Sequence, residues 1–441
     1  MIKVITYGSY DMFHYGHERL LLRAKALGDY LIVGVTSDDY DKTRGKINLQ
    51  QSLMERVEAV RATGIADEII IEEYEGQKID DIKKYDIDIF TVGSDWAGYF
   101  DYLKEYCKVV YLPRTEGISS TEIREQQRSI RLGLVGDAHF LNKVWREAKY
   151  VNGVHINALL TQKPGVMEEE ARNKIDFITS DYGEFLKEVD AVYIRSKPDE
   201  HYEHIRLAID ADKHVLCESP ITLNPKEYEQ LRTRAESKSL VLMEAVKTAY
   251  ATAYERLLLL LKAGKIGEVV SVDATCTSIR QQIEGLEWSS IYEWGPTALL
   301  PVFQILGTDY EDCHLTSLFG KNGNDIFTKM DFRYKNSVAS IKVGDGVKSE
   351  GELVVSGTKG YIYVPAPWWK TDYFEVRYED PADNRRYFYQ LDGEGIRYEL
   401  VSFARSIEKG KTINCIEPVV TLQITEVMEN FNKRRNMDVL S

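Results

Sequence analysis

Val4-Ile5-Thr6-Tyr7-Gly8-Ser9-Tyr10-Asp11-Met12-Phe13-His14-Tyr15-Gly16-His17 is the stretch whose reading decides the fold. An apolar strand that ends at Gly8, a short turn and a helix starting at His17 make the opening of a β/α unit. Such a turn aims backbone N–H groups and two imidazoles at one point, where a phosphate can sit. When an oxygen nucleophile attacks an α-phosphate, negative charge grows on the equatorial oxygens and on departing pyrophosphate. His14, His17 and a helix N-terminus stabilise that charge without a covalent intermediate, and Gly16 leaves room for a triphosphate. Two histidines near a helix start also serve as plain capping or surface residues, so the remainder of the domain decides between the readings.

Apolar runs predict strands near 3–7, 30–36, 68–72, 88–92 and 108–111, separated by helical stretches near 17–27, 51–62, 78–84 and 119–127. This alternation is that of a doubly wound α/β sheet. A second phosphate-reading segment closes it: Arg114-Thr115-Glu116-Gly117-Ile118-Ser119-Ser120-Thr121. Arg114 offers a planar fork of donors and Gly117 permits a tight turn. Ser119, Ser120 and Thr121 place hydroxyls and free N–H groups at a helix start.

Together the two motifs resemble the glycerol-3-phosphate cytidylyltransferases of teichoic-acid synthesis, and the resemblance spans about residues 1 to 127. It includes Leu27-Gly28-Asp29-Tyr30-Leu31, Asp95-Trp96 and Tyr111-Leu112-Pro113. It implies CTP and a small phosphorylated alcohol as partners, with magnesium carried mainly on the CTP phosphates and no dedicated protein cage for it. It places His14, His17, Lys46 and Arg114 in catalysis. Tyr7, Gly8, Ser9, Tyr10, Asp11, Gly16, Gly93, Asp95, Trp96, Thr115, Gly117, Ile118, Ser119, Ser120 and Thr121 would surround the nucleotide. Gly93-Ser94-Asp95-Trp96 looks like the family's cytosine and ribose loop, although Ser94 replaces a frequent acid. The family assembles as dimers, which implies a homo-oligomer.

A second α/β region opens at Ile130-Arg131-Leu132-Gly133-Leu134-Val135-Gly136-Asp137-Ala138. With Asp190-Ala191-Val192-Tyr193-Ile194, Lys213-His214-Val215-Leu216-Cys217-Glu218-Ser219-Pro220 and Gly264-Lys265-Ile266-Gly267-Glu268, it resembles the Gfo/Idh/MocA-type oxidoreductases. That implies a Rossmann-like domain followed by an α+β domain with an open, mainly antiparallel sheet. The domains expected are 1–128, 129–248 and 249–441. β/α alternation is expected up to about Ser219, with strands dominating afterwards.

The chemistry of that second family is missing position by position. Of G-x-G-x-x-G only Gly136 remains, with Ala138 and Leu141 in the other two places, and Leu141 is expected to crowd the helix–strand contact. Leu160-Thr161-Gln162-Lys163 lacks the ribose-gripping acid, although Lys163 keeps a preference for a phosphorylated dinucleotide open. Glu218-Ser219-Pro220 lacks the family lysine, and Glu293-Trp294-Gly295-Pro296-Thr297 lacks its aspartate and histidine. Neither Ser219 nor Thr297 is a general base near neutral pKa. NAD(P) use is therefore not expected. Two alternatives remain: a bifunctional enzyme whose second half reduces a keto-sugar phosphate, and a scaffold or ligand-sensing module.

Composition narrows the class further. The 441 residues carry 56 Lys+Arg against 70 Asp+Glu, a net charge of −14, which argues against nucleic acid as a partner. Five scattered cysteines without C-x-x-C spacing fit reduced cytoplasmic thiols. No apolar run is long enough to span a bilayer. His201, His204, His214 and His314 lack metal-ligand spacing, Lys247 is expected to face solvent, and Trp368 and Trp369 either stack on a ligand or cover a sheet edge.

Overall fold

Strands buried on both faces read as continuous apolar runs, and the first sheet is made of them. In the computed structural model Val4, Ile5, Leu31 and Val33 are fully buried. The structure describes residues 1–13, 15–37, 49, 51–74, 76–113, 130–151, 153–279, 288–389, 391–410, 412 and 416–440. The chain divides into two compact units, Met1–Ser129 and Ile130–Ser441.

In the first unit β1 (Lys3–Gly8), β2 (Tyr30–Thr36), β3 (Glu68–Glu72), β4 (Ile89–Gly93) and β5 (Lys108–Leu112) form one parallel sheet in the order β3-β2-β1-β4-β5. The helices α1 (Tyr15–Lys25), α2 (Leu53–Ala62) and α3 (Gln77–Tyr85) connect them. One apolar layer gathers Val4, Tyr10, Leu21, Val33 and Val57. The opposite layer gathers Ile5, Tyr7, Ile82 and Phe90. The strand order reverses between β1 and β4, the point at which open α/β sheets bind ligands beyond their carboxyl ends. The helix starts two residues earlier than expected, at Tyr15, so His17 lies inside its first turn. The helix expected near 119–127 lies outside the described residues.

The second unit contains its own parallel sheet: β6 (Ile130–Val135), β7 (Val154–Leu160), β8 (Phe177–Thr179), β9 (Ala191–Ile194), β10 (His214–Glu218) and β11 (Leu242–Ala245), ordered β11-β10-β9-β6-β7-β8. The intervening helices are α4 (Leu141–Ala148), α5 (Glu169–Lys174), α6 (Tyr182–Lys187), α7 (His201–Asp210) and α8 (Pro225–Ser237). Alternation therefore runs to Ala245 rather than Ser219. The polar α8 holds on by Tyr228, Leu231 and Ala235, which spacing puts on one buried face.

After α9 (Thr252–Lys262) comes a nine-stranded sheet: β12 (Val269–Thr277), β13 (Asp312–Phe319), β14 (Asp325–Arg333), β15 (Val338–Gly344), β16 (Leu353–Gly357), β17 (Tyr361–Val364), β18 (Tyr373–Arg377), β19 (Arg385–Phe388) and β20 (Met437–Leu440). Its order is β19-β18-β17-β16-β12-β15-β14-β13-β20, with only β12/β15 and β13/β20 parallel. The helix α10 (Ser290–Leu306) packs on β12, β14 and β15, and α11 (Ile396–Lys409) packs on α4. A last helix, α12 (Pro418–Asn432), packs on α8 and α10.

Candidate functional site

In the first unit the ends of β1 and β4 lie side by side, so Gly8 and Gly93 flank the switch point. The turn after Gly8 is built from inside. Tyr10, at φ 51°, swings its ring back over Gly8, where an added Cβ would stand 3.0 Å from the ring. Tyr10 is 1% exposed, and together with Phe13 it holds the imidazole of His17, each ring centroid 5.5 Å away. Asp11 is also buried and accepts the Gln51 N–H at 3.0 Å, while Gln51 Oε1 accepts the Met12 N–H at 2.8 Å. This fastens the turn to the N-terminus of α2, which Ser52 and Glu55 close with a capping box.

Sequence reading missed the centre of this construction, Arg56. Its guanidinium is fully buried and donates to the carbonyls of Ser9 (2.7 Å), Thr36 (2.9 Å) and Gln51 (3.2 Å). The signal was available, because Leu53, Arg56, Val57 and Val60 follow the i, i+3, i+4, i+7 spacing of a buried face. An arginine on that face has an internal partner.

Two expectations for nucleotide contact change. Tyr7 points to the opposite layer, where it donates to Asp81 Oδ2 at 2.9 Å and stacks on Phe90, because strand residues alternate faces. The Tyr10 ring is sequestered under the turn. Neither ring is therefore open to a ligand. Ser9, Asp11, Gly16, His17, Gly93 and Trp96 are gathered at the strand ends, with Asp95 between Gly93 and Trp96 in the 3₁₀ turn Ser94–Trp96. Trp96 packs against Tyr99 and Phe100 at 5.4 and 5.8 Å. His14, Lys46, Arg114, Thr115, Gly117, Ile118, Ser119, Ser120 and Thr121 lie outside the described residues. Arg23 Nη1 donates to Pro113 O at 2.6 Å, which draws the chain just before Arg114 to α1. No group of three or more His, Cys, Asp or Glu among the described residues is arranged to hold a metal.

The second unit has a switch point too, between β6 and β9. Gly136, at φ 136°, permits a close approach that no side chain allows, since its Cβ would lie 2.2 Å from Arg195 O. Leu141 is the first residue of α4, and its side chain is fully buried. An acid from the turn after β6 stands at the end of β7, which carries none of its own. Asp137 Oδ1 accepts Thr161 Oγ1 at 2.6 Å and Gln162 N at 2.8 Å. Sequence reading searched only β7 for that acid.

On the β10 side the strand ends are filled. Arg195 pairs with Glu293 at 2.8 Å, and its guanidinium lies 5.8 Å from the Phe140 ring centroid and 5.1 Å from that of Trp288. Lys247 lies 5.7 Å from the same Phe140 ring and, against the solvent-facing expectation, pairs with Glu394 at 3.2 Å. Ser219 Oγ donates to Glu244 Oε1 at 2.5 Å. The Tyr193 hydroxyl bonds Glu218 and lies 3.2 Å from Glu399. Burial pushes the carboxyls of Glu218 and Glu399 up, Glu399 well above the usual range with the charge of Glu218 adding to it. Thr297 sits on α10, half-buried. Trp368 and Trp369 are buried, and Trp368 Nε1 donates to Thr275 O at 3.2 Å, so they cover the sheet. His201 is fully buried between the carbonyls of Pro220 and Ser196, at 2.9 and 3.1 Å, and burial lowers it to about 4. His204 bonds Ser196 Oγ, His214 accepts Val241 N–H, and His314 pairs with Asp438. An open groove of 360 Å³ runs along these strand ends from Thr161 and Lys163 past Gly136 and Asp137 to Ser196 and His204.

Comparison with known proteins separates the two units in the same way. The Cytidylyltransferase-like family model matches residues 5–126, and the model described as Oxidoreductase family, NAD-binding Rossmann fold matches residues 130–246. The first unit is that of a nucleotidyltransferase. The chain is 51% identical over 130 residues to the glycerol-3-phosphate cytidylyltransferase of Bacillus spizizenii, covering 30% of this chain and 100% of that one. With the Staphylococcus aureus enzyme of the same name it shares 46%, covering 29% and 95%. Through this segment the chain belongs to the glycerol-3-phosphate cytidylyltransferase family. The remainder is 25% identical to rabbit trans-1,2-dihydrobenzene-1,2-diol dehydrogenase, over 57% of this chain and 81% of that one. Its fold is that of a 3-ketoreductase from Actinomadura kijaniata solved with NADP, at a TM-score of 0.63 and 17% identity, over 71% of this chain and all of the other.

Proposed function

We propose that the protein transfers a cytidylyl group from CTP to glycerol 3-phosphate, releasing pyrophosphate and CDP-glycerol for cell-surface polymer synthesis. The carrying observation is the 51% identity over the whole length of a glycerol-3-phosphate cytidylyltransferase, on a segment whose strand ends gather Gly8, His17 and Gly93. Cytidylyl transfer belongs to residues 1–128, with 129–248 and 249–441 as the two oxidoreductase-type domains. The protein acts in the cytoplasm as a homo-oligomer, as the resemblance to the cytidylyltransferases implies. Among the described residues no helix is long and apolar enough to cross a membrane.

CTP enters as its magnesium complex across the ends of β1 and β4. The glycerol phosphate oxygen attacks the α-phosphorus in line. His17, held by Tyr10 and Phe13, and His14 donate to the oxygens on which charge accumulates, and Lys46 and Arg114 neutralise the departing pyrophosphate. Gly93, Asp95 and Trp96 take the cytosine and ribose. The backbone of Tyr7, Gly8, Ser9 and Tyr10 with Gly16 shapes the phosphate cradle, which Thr115, Gly117, Ile118, Ser119, Ser120 and Thr121 close. Asp11 positions the cradle through Gln51. Release of pyrophosphate from CTP, assayed with a panel of phosphorylated alcohols, tests the reading. Glycerol 3-phosphate should be used best, and equal use of ethanolamine phosphate or ribitol phosphate would refute the acceptor.

A keto-sugar phosphate reductase in the second half is the less supported reading. Ser219 is committed to Glu244, and the β10 side of the strand ends is filled by Arg195, Phe140 and Glu293.

A further inference from the structure

Three lysines of the second unit meet at one carboxylate. Lys143 comes from α4, Lys247 from the 3₁₀ turn Lys247–Tyr250 after β11 and Lys370 from the 3₁₀ turn Trp368–Lys370. Their ammonium groups lie 3.2, 3.2 and 3.6 Å from the Glu394 carboxylate. Among the described residues no other carboxylate pairs with any of the three. The neighbouring charges are already matched: Arg397 pairs with Glu147 at 2.8 Å, and Arg195 with Glu293 at 2.8 Å. Farther in, burial pushes Glu399 well above the usual carboxylate range. Three positive charges against one negative leave +2 at this point of a chain whose net charge is −14.

Glu394 answers that cluster only in part. A carboxylate has two oxygens and about four acceptor sites, whereas each ammonium group carries three donors. Like charges this close repel one another unless enough negative charge stands between them. A phosphate monoester brings three acceptor oxygens and a charge of about −1.5 to −2, which matches the excess. Glu394 is also held in an uncommon way. It has φ 54° between Gly393 at φ 57° and Gly395 at φ 91°, a left-handed conformation that a non-glycine residue adopts at a cost. Lys143, Lys370 and Glu394 are each partly exposed, so a small solute reaches them from outside. We propose that Lys143, Lys247 and Lys370 form a binding site for a phosphate dianion, free or on a small phosphorylated sugar, and that Glu394 is its built-in plug, swinging out on the glycine-flanked turn when the ligand enters. Phe140, whose ring centroid lies 5.7 Å from Lys247 Nζ, walls one side of the site. The site needs no dinucleotide and stands whichever alcohol the first unit activates.

Isothermal titration of the full chain at low ionic strength, with inorganic phosphate and with glucose 6-phosphate, tests the site. Because the variants lie in the second unit alone, any phosphate binding by the first is common to all of them. Glu394→Gln removes the plug's charge and should tighten phosphate binding at least fivefold. Adding Lys247→Met to that variant should reverse the gain at least fivefold. Glucose 6-phosphate binding more tightly than inorganic phosphate would mark the sugar ester as the ligand, and the opposite order the free ion. Phosphate affinity unchanged or lowered by Glu394→Gln, or a double variant that binds as tightly as Glu394→Gln, would overturn the proposal. If Glu394→Gln loses its native circular dichroism, Lys370→Met decides in its place: binding at least threefold weaker supports the site, and unchanged binding overturns it. Cytidylyl transfer is read separately, so failure here leaves the function of the first unit intact.

Discussion

Two parallel sheets in one chain present two switch points, and they differ in what stands there. At β1/β4 two glycines end the strands and an imidazole is held between Tyr10 and Phe13. At β6/β9 one glycine survives, Arg195 pairs with Glu293, and the cations of Arg195 and Lys247 both lie near the Phe140 ring. Strand order alone marks both as ligand crevices. Side chains then decide which is equipped for chemistry, so the same fold carries two different functional statements.

The sharpest way to break this contrast is His17→Ala. Its effect should fall on the transition state, lowering kcat for CDP-glycerol formation about a hundredfold or more, roughly 2.7 kcal/mol, with little change in KM. Steady-state kinetics on a variant with unchanged circular dichroism checks this. Retention of most of the turnover would remove the first switch point from catalysis.

Arg56→Ala comes next. Three carbonyls lose a fully buried donor, and the turn carrying Ser9 loses its tie to β2, so stability of the first unit should drop by about 3 kcal/mol. Urea denaturation should show the loss in the first unit's transition, and an unchanged midpoint would mean the turn is held by other means.

Glu399→Gln probes the second unit. Burial and Glu218 raise the Glu399 carboxyl, so the folded state holds a proton that the unfolded chain releases. Stability is fully present below the unfolded carboxylate range and falls as pH rises towards the folded value. The variant should remove part of that decline, so its Tm should fall less steeply than that of the unmodified protein as pH rises. Tm measured from pH 5 to 9 tests it, and parallel profiles for the two proteins would contradict it.

Glu394→Gln should do least. Burial opposes its ionisation, yet Lys247 and Lys143 hold its carboxyl down to about 2. Its stabilisation is present above the unfolded range and lost as pH falls through about 2. Because the carboxylate is 35% exposed, it contributes under about 1 kcal/mol at neutral pH. A thermal melt at pH 7 showing a much larger loss would mean that Glu394 holds the β10 side closed by more than charge.

Strands β1 to β5 were legible to within a residue or so because each is a short apolar run bounded by turn residues. The open sheet was legible less directly, through the family resemblance alone; in the structure Gly357-Thr358-Lys359-Gly360 joins β16 to β17. What the sequence hid was direction. Nothing local says that Tyr7 faces the layer of Phe90, that Tyr10 folds under Gly8, or that Asp137 reaches across to Thr161. The first and last depend on partners 83 and 24 positions away in the chain, brought together by sheet order, while Tyr10 meets Gly8 only two positions away through its left-handed φ of 51°. Lys247 was misread for the same reason, since its partner Glu394 comes from a distant loop.

One assay addresses the central claim, that chemistry belongs to the first switch point and not the second. The full chain is incubated with CTP, magnesium and glycerol 3-phosphate, with and without NAD⁺ or NADP⁺, while CDP-glycerol and nicotinamide absorbance are followed together. CDP-glycerol should form at the same rate in all three mixtures with no nicotinamide reduction. Absence of CDP-glycerol, or reduction of a nicotinamide at the expense of the alcohol phosphate, would contradict the account.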